Sequence, residues 1–303
     1  MRCKHWMLIC GIVAAVSLGL AWTEVRHKHP PQNDAAYLHS NEPDEEERSS
    51  GASPAAQASK RGNGTQEHRS ASNDALQTFL DLKARANRGE ADAQRDLAEA
   101  YGRCIAVNID PQKFLATYSA IAARSTSHAN AQGILLVARS YAEECAVVDN
   151  GAAIPVDARN LWLEQAAKGG DLAAQARLQM ASTARLQGED LRQFVEKVSK
   201  SGDPLATFEL GQLLAGNSDN TSLGRYSEVA TGPTSGYAWS IAACQMGLNC
   251  GTNSDIMKSL CLNTGGCSSP NFESFVRTNL ISPSDASLLD RKIKEIRKIL
   301  SKP

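Results

Sequence analysis

Beyond residue 74 the apolar positions recur at helical spacing and break off at glycines. Leu76, Phe79, Leu80 and Leu82 form one such stripe, which ends at Gly89; Ala93, Leu97, Ala100 and Tyr101 form the next. The turn between them, Gly89-Glu90-Ala91-Asp92-Ala93-Gln94, is rewritten at Gly170-Asp171-Leu172-Ala173-Ala174-Gln175 and at Gly202-Asp203-Pro204-Leu205-Ala206-Thr207. Each copy has an acid after the glycine, an Ala four residues after it and a Leu four further on (Leu97, Leu178, Leu210). Glycine suits the left-handed residue that ends a helix, and an acid suits the positive start of the next. The phrase predicts a helix–turn–helix unit, and its recurrence predicts a row of such units. Weaker echoes at Ser127 and Gly247 put the turns at 89, 127, 170, 202 and 247, in steps of 38, 43, 32 and 45 residues. The expected fold is all-α: an α-solenoid of about five antiparallel helix-turn-helix repeats with unequal loops, the longest insertion running from Gly216 to about Ser235.

The first 73 residues follow a different pattern. Arg2 and Lys4 precede Trp6–Trp22, 17 residues without a charge, which reads as an apolar N-terminal helix at the short edge of a membrane span. An uncleaved anchor over residues 1–22 is the leading expectation. A cleaved signal with a passable site at Gly19-Leu20-Ala21 is its alternative. Residues 23–73 carry Pro30-Pro31, the acidic block Asp44-Glu45-Glu46-Glu47 and almost no apolar pattern, so they are expected to be a disordered linker. His27 and His29 flank Lys28 there and are read as a solvated pair, because a stable metal site needs more ligands in fixed geometry.

Composition narrows the class. The net charge of −1 gives no global basic field for nucleic acid, and 5% aromatics with abundant alanine suit closely packed helices. Of eight cysteines, Cys3 and Cys10 belong to the apolar start. Cys104, Cys145, Cys244, Cys250, Cys261 and Cys267 remain, an even number behind an export segment, which points to disulfides in an oxidising space. The expected location is an inner-membrane anchored protein with a periplasmic domain; the alternative is a periplasmic or secreted protein after signal cleavage.

The residues Trp162…Ala166-Ala167…Gly170-Asp171…Ala174-Gln175…Leu178, echoed at Gly89-Glu90…Ala93-Gln94…Leu97…Tyr101, resemble the Sel-one-like repeats, relatives of the tetratricopeptide repeats. The resemblance covers roughly residues 74–262. It departs from the pattern where Ser127 replaces glycine, where Pro204 opens a second helix, and where the last turn lacks its acid. It implies a right-handed superhelix of helix pairs and a role in protein contacts, and it brings no catalytic residue. By the same resemblance the first helix of each pair lines the concave face: Asp74–Arg88, Pro111–Arg124, Val156–Lys168, Glu189–Lys200 and Tyr237–Met246. Arg159, Glu164, Arg192 and Lys197 are the polar members expected to touch a partner. Some cysteine-rich relatives are associated with cell-wall compounds, although their regular cysteine spacing is absent here.

Cys104 and Cys145 fall at the ends of second helices in adjacent units, so a Cys104–Cys145 bridge is expected. The other four are spaced C-x5-C-x10-C-x5-C, unlike zinc knuckles or a C-x-x-C redox pair. Local pairs Cys244–Cys250 and Cys261–Cys267 fit the loops better than a bridge along a helix, and spacing alone leaves the pairing among these four open.

Catalytic constellations are scarce. Ser125, Ser127 and His128 share a turn but lack a third orienting group. Glu143-Glu144 reads as a solvated helix end, and Asp171 and Asp203 as repeat-position caps. Asn220-Thr221-Ser222 matches a glycosylation sequon by letter. Residues 263–303 are read as a disulfide loop and a C-terminal amphipathic capping helix. Its apolar stripe is Leu288, Leu289, Ile293, Ile296 and Leu300, and its wet face carries Arg291, Lys292, Lys294, Arg297, Lys298 and Lys302. A basic helix resting on anionic lipid or an acidic partner is the other reading of that face. The expected function is a non-catalytic protein–protein interaction scaffold of the bacterial envelope, binding a protein or peptide, with no cofactor, metal or nucleic acid. The alternative is an enzyme or binding protein acting on peptidoglycan or β-lactam-like compounds.

Overall fold

The computed structural model describes residues 64–215 and 222–301, with side chains from residue 73 onward. The chain divides into two compact units, residues 1–67 and 68–303. Of the first, only the opening of helix α1 is described. The expected anchor, most of the linker, and Asn220 and Thr221 of the sequon lie outside the described residues. Among the described residues no helix is long and apolar enough to cross a membrane.

The described chain is all-helical: α1 (Gly64–Asn87), α2 (Ala91–Ile109), α3 (Pro111–Ala123), α4 (His128–Val147), α5 (Val156–Lys168), α6 (Leu172–Ala181), α7 (Gly188–Ser201), α8 (Pro204–Ala215), α9 (Ser227–Ala230), α10 (Ser235–Gln245), α11 (Asp255–Thr264), α12 (Phe272–Asn279) and α13 (Ala286–Leu300). Helix α1 starts ten residues before the position its apolar stripe marked, within the stretch read as linker.

The repeated phrase is a turn, as its residues require. Gly89, Gly170, Gly202 and Gly247 have φ of +88°, +97°, +67° and +109°, a region that costs any side-chain-bearing residue. Nothing lies within 4 Å of a Cβ placed at any of the four, so backbone conformation, not space, demands glycine. Asp171 accepts from the Ala174 N–H at 2.7 Å, and Asp203 from Leu205 and Ala206 at 2.8 and 3.2 Å, so both cap their helices. The glutamine of the phrase has its own task. Gln94 donates to the Ala86 carbonyl at 3.2 Å and Gln175 to the Ala167 carbonyl at 2.9 Å, each stapling the second helix to the last turn of the first.

The packing departs from five units in simple succession. Helix α2 lies along α5, with Gly102 beside Arg159 and Ala91 beside Gly169, so the two run antiparallel. Helix α5 pairs with α6, α6 packs on α8, α8 on α10, and α10 on α13. The α3–α4 hairpin, whose turn has Ser127 where the others have glycine, stands outside this succession. It packs on itself, on α2, and through α4 on α11. Ion pairs Arg103–Asp255 at 3.0 Å and Lys258–Glu144 at 2.5 Å bring α11 to α2 and α4. Glu144, expected to be solvated, is therefore a tether between elements distant in sequence.

Three disulfides close the covalent frame: Cys104–Cys145, Cys244–Cys250 and Cys261–Cys267. The first joins α2 to the displaced hairpin. The third rests on α4, where a Cβ at Gly133 would sit 2.4 Å from the Cys267 Cβ, so a glycine is needed for close approach. Leaving α4, Asp149 and Asn150 take φ of +48° and +56°. Lys83 of α1 and the Tyr101 hydroxyl of α2 donate to the Asp149 carboxylate at 2.5 and 2.7 Å and hold that turn.

The larger apolar core joins α6, α7, α8 and everything after them, around fully buried Trp239, Leu210, Leu213, Leu214 and Ile296. The described part of the insertion, from residue 222, is part of it. Leu223, Tyr226, Val229 and Ala230 are buried, and the Trp239 indole donates to the Val229 carbonyl at 3.1 Å. Helix α13 closes this core with Leu289, Ile293 and Ile296. Lys292 corrects the reading of its wet face. It is buried, and its ammonium donates to the Thr231 carbonyl and to Ser235 Oγ, where it meets the C-terminal end of α9. A second core lies among α1, α2, α3, α4 and the Cys261 end of α11.

Candidate functional site

Helices α5, α6 and α7 enclose a surface groove of about 450 Å³, lined by Glu164, Ala167, Lys168, Gln175, Leu178, Gln179, Leu186 and Phe194. Its position follows from the turn chemistry. The Gly169-Gly170-Asp171 turn folds α6 back on α5, and the segment from Ser182 to Gln187 carries the chain to α7, leaving a trough between two first helices. Leu178, Leu186 and Phe194 give it an apolar floor. Two of its amides are already engaged: Gln175 with the Ala167 carbonyl, and Gln179 Oε1 with the Leu186 N–H at 3.1 Å, which fixes the loop. Glu164 and Lys168 remain on the rim, exposed and 3.8 Å apart, a spacing worth little in water.

Beside this groove a charged network joins α2, α6 and α8. Arg95 pairs with Asp171 at 2.5 Å and with Asp96 at 2.8 Å. Arg177 pairs with Glu209 at 2.7 Å and with Glu99 at 2.8 Å. Glu99 Oε1 is buried without a directed hydrogen bond, because the Arg177 N–H aims past it; the contact is Coulombic. Burial pushes the Glu99 carboxyl above its usual range, opposed by Arg177 and reinforced by Glu209. Burial likewise raises Asp171, against the Ala174 N–H and Arg95. The Arg177 guanidinium is held charged by Glu209 and Glu99 despite its own desolvation. Arg159 is half-buried in the space left by Gly102, and among the described residues no carboxylate comes within ion-pair distance of it. Desolvation and the nearby Arg177 lower its proton affinity.

The four residues expected to touch a partner do not converge. Glu164 lines the groove. Arg159 turns toward α2. Arg192 is engaged on its own helix with Glu189 at 2.5 Å and Glu196 at 3.5 Å, and Lys197 is exposed on α7. Sequence reasoning missed Leu178, Leu186 and Phe194, although Leu178 was in view as part of the repeated phrase. It also missed the Arg95–Asp171 and Arg177–Glu209 pairs, which join residues 76 and 32 positions apart and leave no local signature.

Two arrangements resemble catalytic pairs. Ser125 donates to the Ser127 carbonyl and Ser127 caps α4 by accepting from Asn130, so neither hydroxyl is directed at His128. Ser235 Oγ lies 2.7 Å from Lys292 Nζ, the reach of a nucleophile and its base. Both are fully buried and Ser235 donates to the Thr231 carbonyl, so the pair acts as a clamp between α13 and the start of α10. Among the described residues no group of His, Cys, Asp and Glu could hold a metal ion. Comparisons with protein-family models, curated proteins and solved structures found no match to this chain.

Proposed function

We propose that this protein is a non-catalytic interaction scaffold of the bacterial envelope, built on Sel-one-like helix pairs arranged as a solenoid that carries α3–α4 as a side hairpin. It receives a peptide segment of a partner protein in the trough between α5, α6 and α7. The observation that carries the reading is the groove itself: an apolar floor of Leu178, Leu186 and Phe194 between two first helices, rimmed by an exposed acid and base. An amphipathic helix or an extended segment would bury apolar side chains on that floor, while Glu164 and Lys168 select its flanking charges. The three disulfides support an oxidising compartment, in keeping with a periplasmic domain behind an N-terminal anchor.

The test is site-specific photocrosslinking in cells with the probe at Glu164 or Gln179, set against a probe at Lys113 on the displaced hairpin. One protein captured at both groove positions and not at the control supports the scaffold. Equal capture at all three sites, or none, removes the groove from the interaction. Turnover of peptidoglycan or a β-lactam by the purified chain would favour the enzymatic alternative.

A further inference from the structure

A second groove lies where α13 meets the C-terminal end of α10 and the flank of α12. Its volume is about 590 Å³, and its lining includes Met246, Ile293 and Leu300 together with Arg277, Lys294, Arg297 and Lys298, against a single carboxylate, Asp290. That carboxylate is already used: Arg277 donates to it at 2.7 Å and to Glu273 at 2.9 Å. Lys298 has only a long contact with Glu295, at 3.6 Å. Lys294 and Arg297 are exposed and, among the described residues, have no carboxylate within ion-pair distance. The groove therefore concentrates positive charge around an apolar floor in a chain whose formal net charge is −1.

We propose that this groove binds an acidic segment of a partner protein, with one apolar side chain seated on Met246, Ile293 and Leu300 and flanking carboxylates on Lys294 and Arg297. Charge complementarity selects an anion. The choice of a peptide over a lipid surface follows from how α13 is packed. Its apolar stripe, Leu289, Ile293 and Ile296, is buried in the core, so the helix has no free face to lay into a bilayer. The remaining apolar surface is concave, which suits a side chain better than a flat headgroup layer. This site is independent of the α5–α7 trough and stands or falls separately from it.

The test uses the full chain and a fluorescent glutamate peptide carrying one central leucine, followed by anisotropy at low and physiological ionic strength. Binding is expected, weakening with salt and weaker still when the leucine is replaced by glycine. The Lys294→Glu/Arg297→Glu double variant should lose about tenfold or more in affinity, with an unchanged thermal transition because both positions are exposed. Arg291→Glu, a reversal on the same helix outside the groove, should bind as the parent does. Absence of peptide binding at low salt overturns the proposal. So does equal loss in the Arg291→Glu control, which would mean a diffuse field. Binding to phosphatidylglycerol vesicles but not to the peptide overturns it in favour of lipid.

Discussion

At the scale of single residues, the charged network separates two acids that look alike in the sequence. Glu209 is buried and bonds Arg177 directly, whereas Glu99 meets the same guanidinium without a directed hydrogen bond. Glu209→Gln should destabilise the fold by about 2–3 kcal/mol, since it leaves a half-buried arginine with one imperfect partner. Glu99→Gln should stay within about 1 kcal/mol of the parent at neutral pH. The sign of its pH dependence follows from the raised carboxyl. The folded state holds the proton more tightly than the unfolded chain, so this group's contribution is greatest at low pH. It declines as pH rises from the ordinary value of 4.5 through the raised one. Thermal unfolding of Glu99→Gln against pH should lack that decline; an unaltered profile would mean that Glu99 is not the group responsible. Gln175→Ala removes the staple to Ala167, and a loss of about 1 kcal/mol in denaturant unfolding is expected. No change would mean that the recurring glutamine has another task. That glutamine was visible in the sequence at the same offset from glycine in two copies. Its purpose was not, because the carbonyl it reaches belongs to the preceding helix.

At the scale of elements, the α3–α4 hairpin stands outside the main packing order: it packs on α2 and α11, while α2 also lies along α5. The Cys104–Cys145 bridge spans 41 residues, and in the chain-entropy model it contributes about 4 kcal/mol by constraining the unfolded chain. Cys104→Ser/Cys145→Ser should therefore unfold the hairpin locally before the rest. Hydrogen exchange should show faster amides in α3 and α4 than in α8 and α10. Uniform acceleration throughout would show that the hairpin and the larger core unfold as one. Gly133→Ala should weaken the contact of α4 with the Cys261–Cys267 loop, where the new Cβ meets the Cys267 Cβ. The helices before Gly89, Gly170, Gly202 and Gly247 were legible because each is an apolar stripe ended by a glycine. The side-by-side placement of α2 and α5 was not, since stripe and turn specify a hairpin and not which hairpin is its neighbour.

At the scale of the molecule, the proposed scaffold has two surfaces with different chemistry, an apolar trough with a mixed rim among α5, α6 and α7 and a basic groove along α13. Exchanging the rim charges of the first with Glu164→Lys/Lys168→Glu should weaken a captured partner and leave the thermal transition in place, because both side chains are exposed. A fall in stability instead would show that the rim is structural.

The sequence by itself determined the helical class, the glycine turns, the caps at Asp171 and Asp203, and the Cys104–Cys145 pair. All of these are set by residues near in sequence or by the ends of helices that the pattern locates. The tertiary structure alone decided that Ser127 marks a hairpin outside the main succession, that Lys292 is buried, that Glu144 ties α4 to α11, and that Leu178, Leu186 and Phe194 meet in one trough. Those outcomes depend on which faces meet after the chain folds back over long separations. Burial and charge pairing across such distances have no local periodicity for a sequence to display.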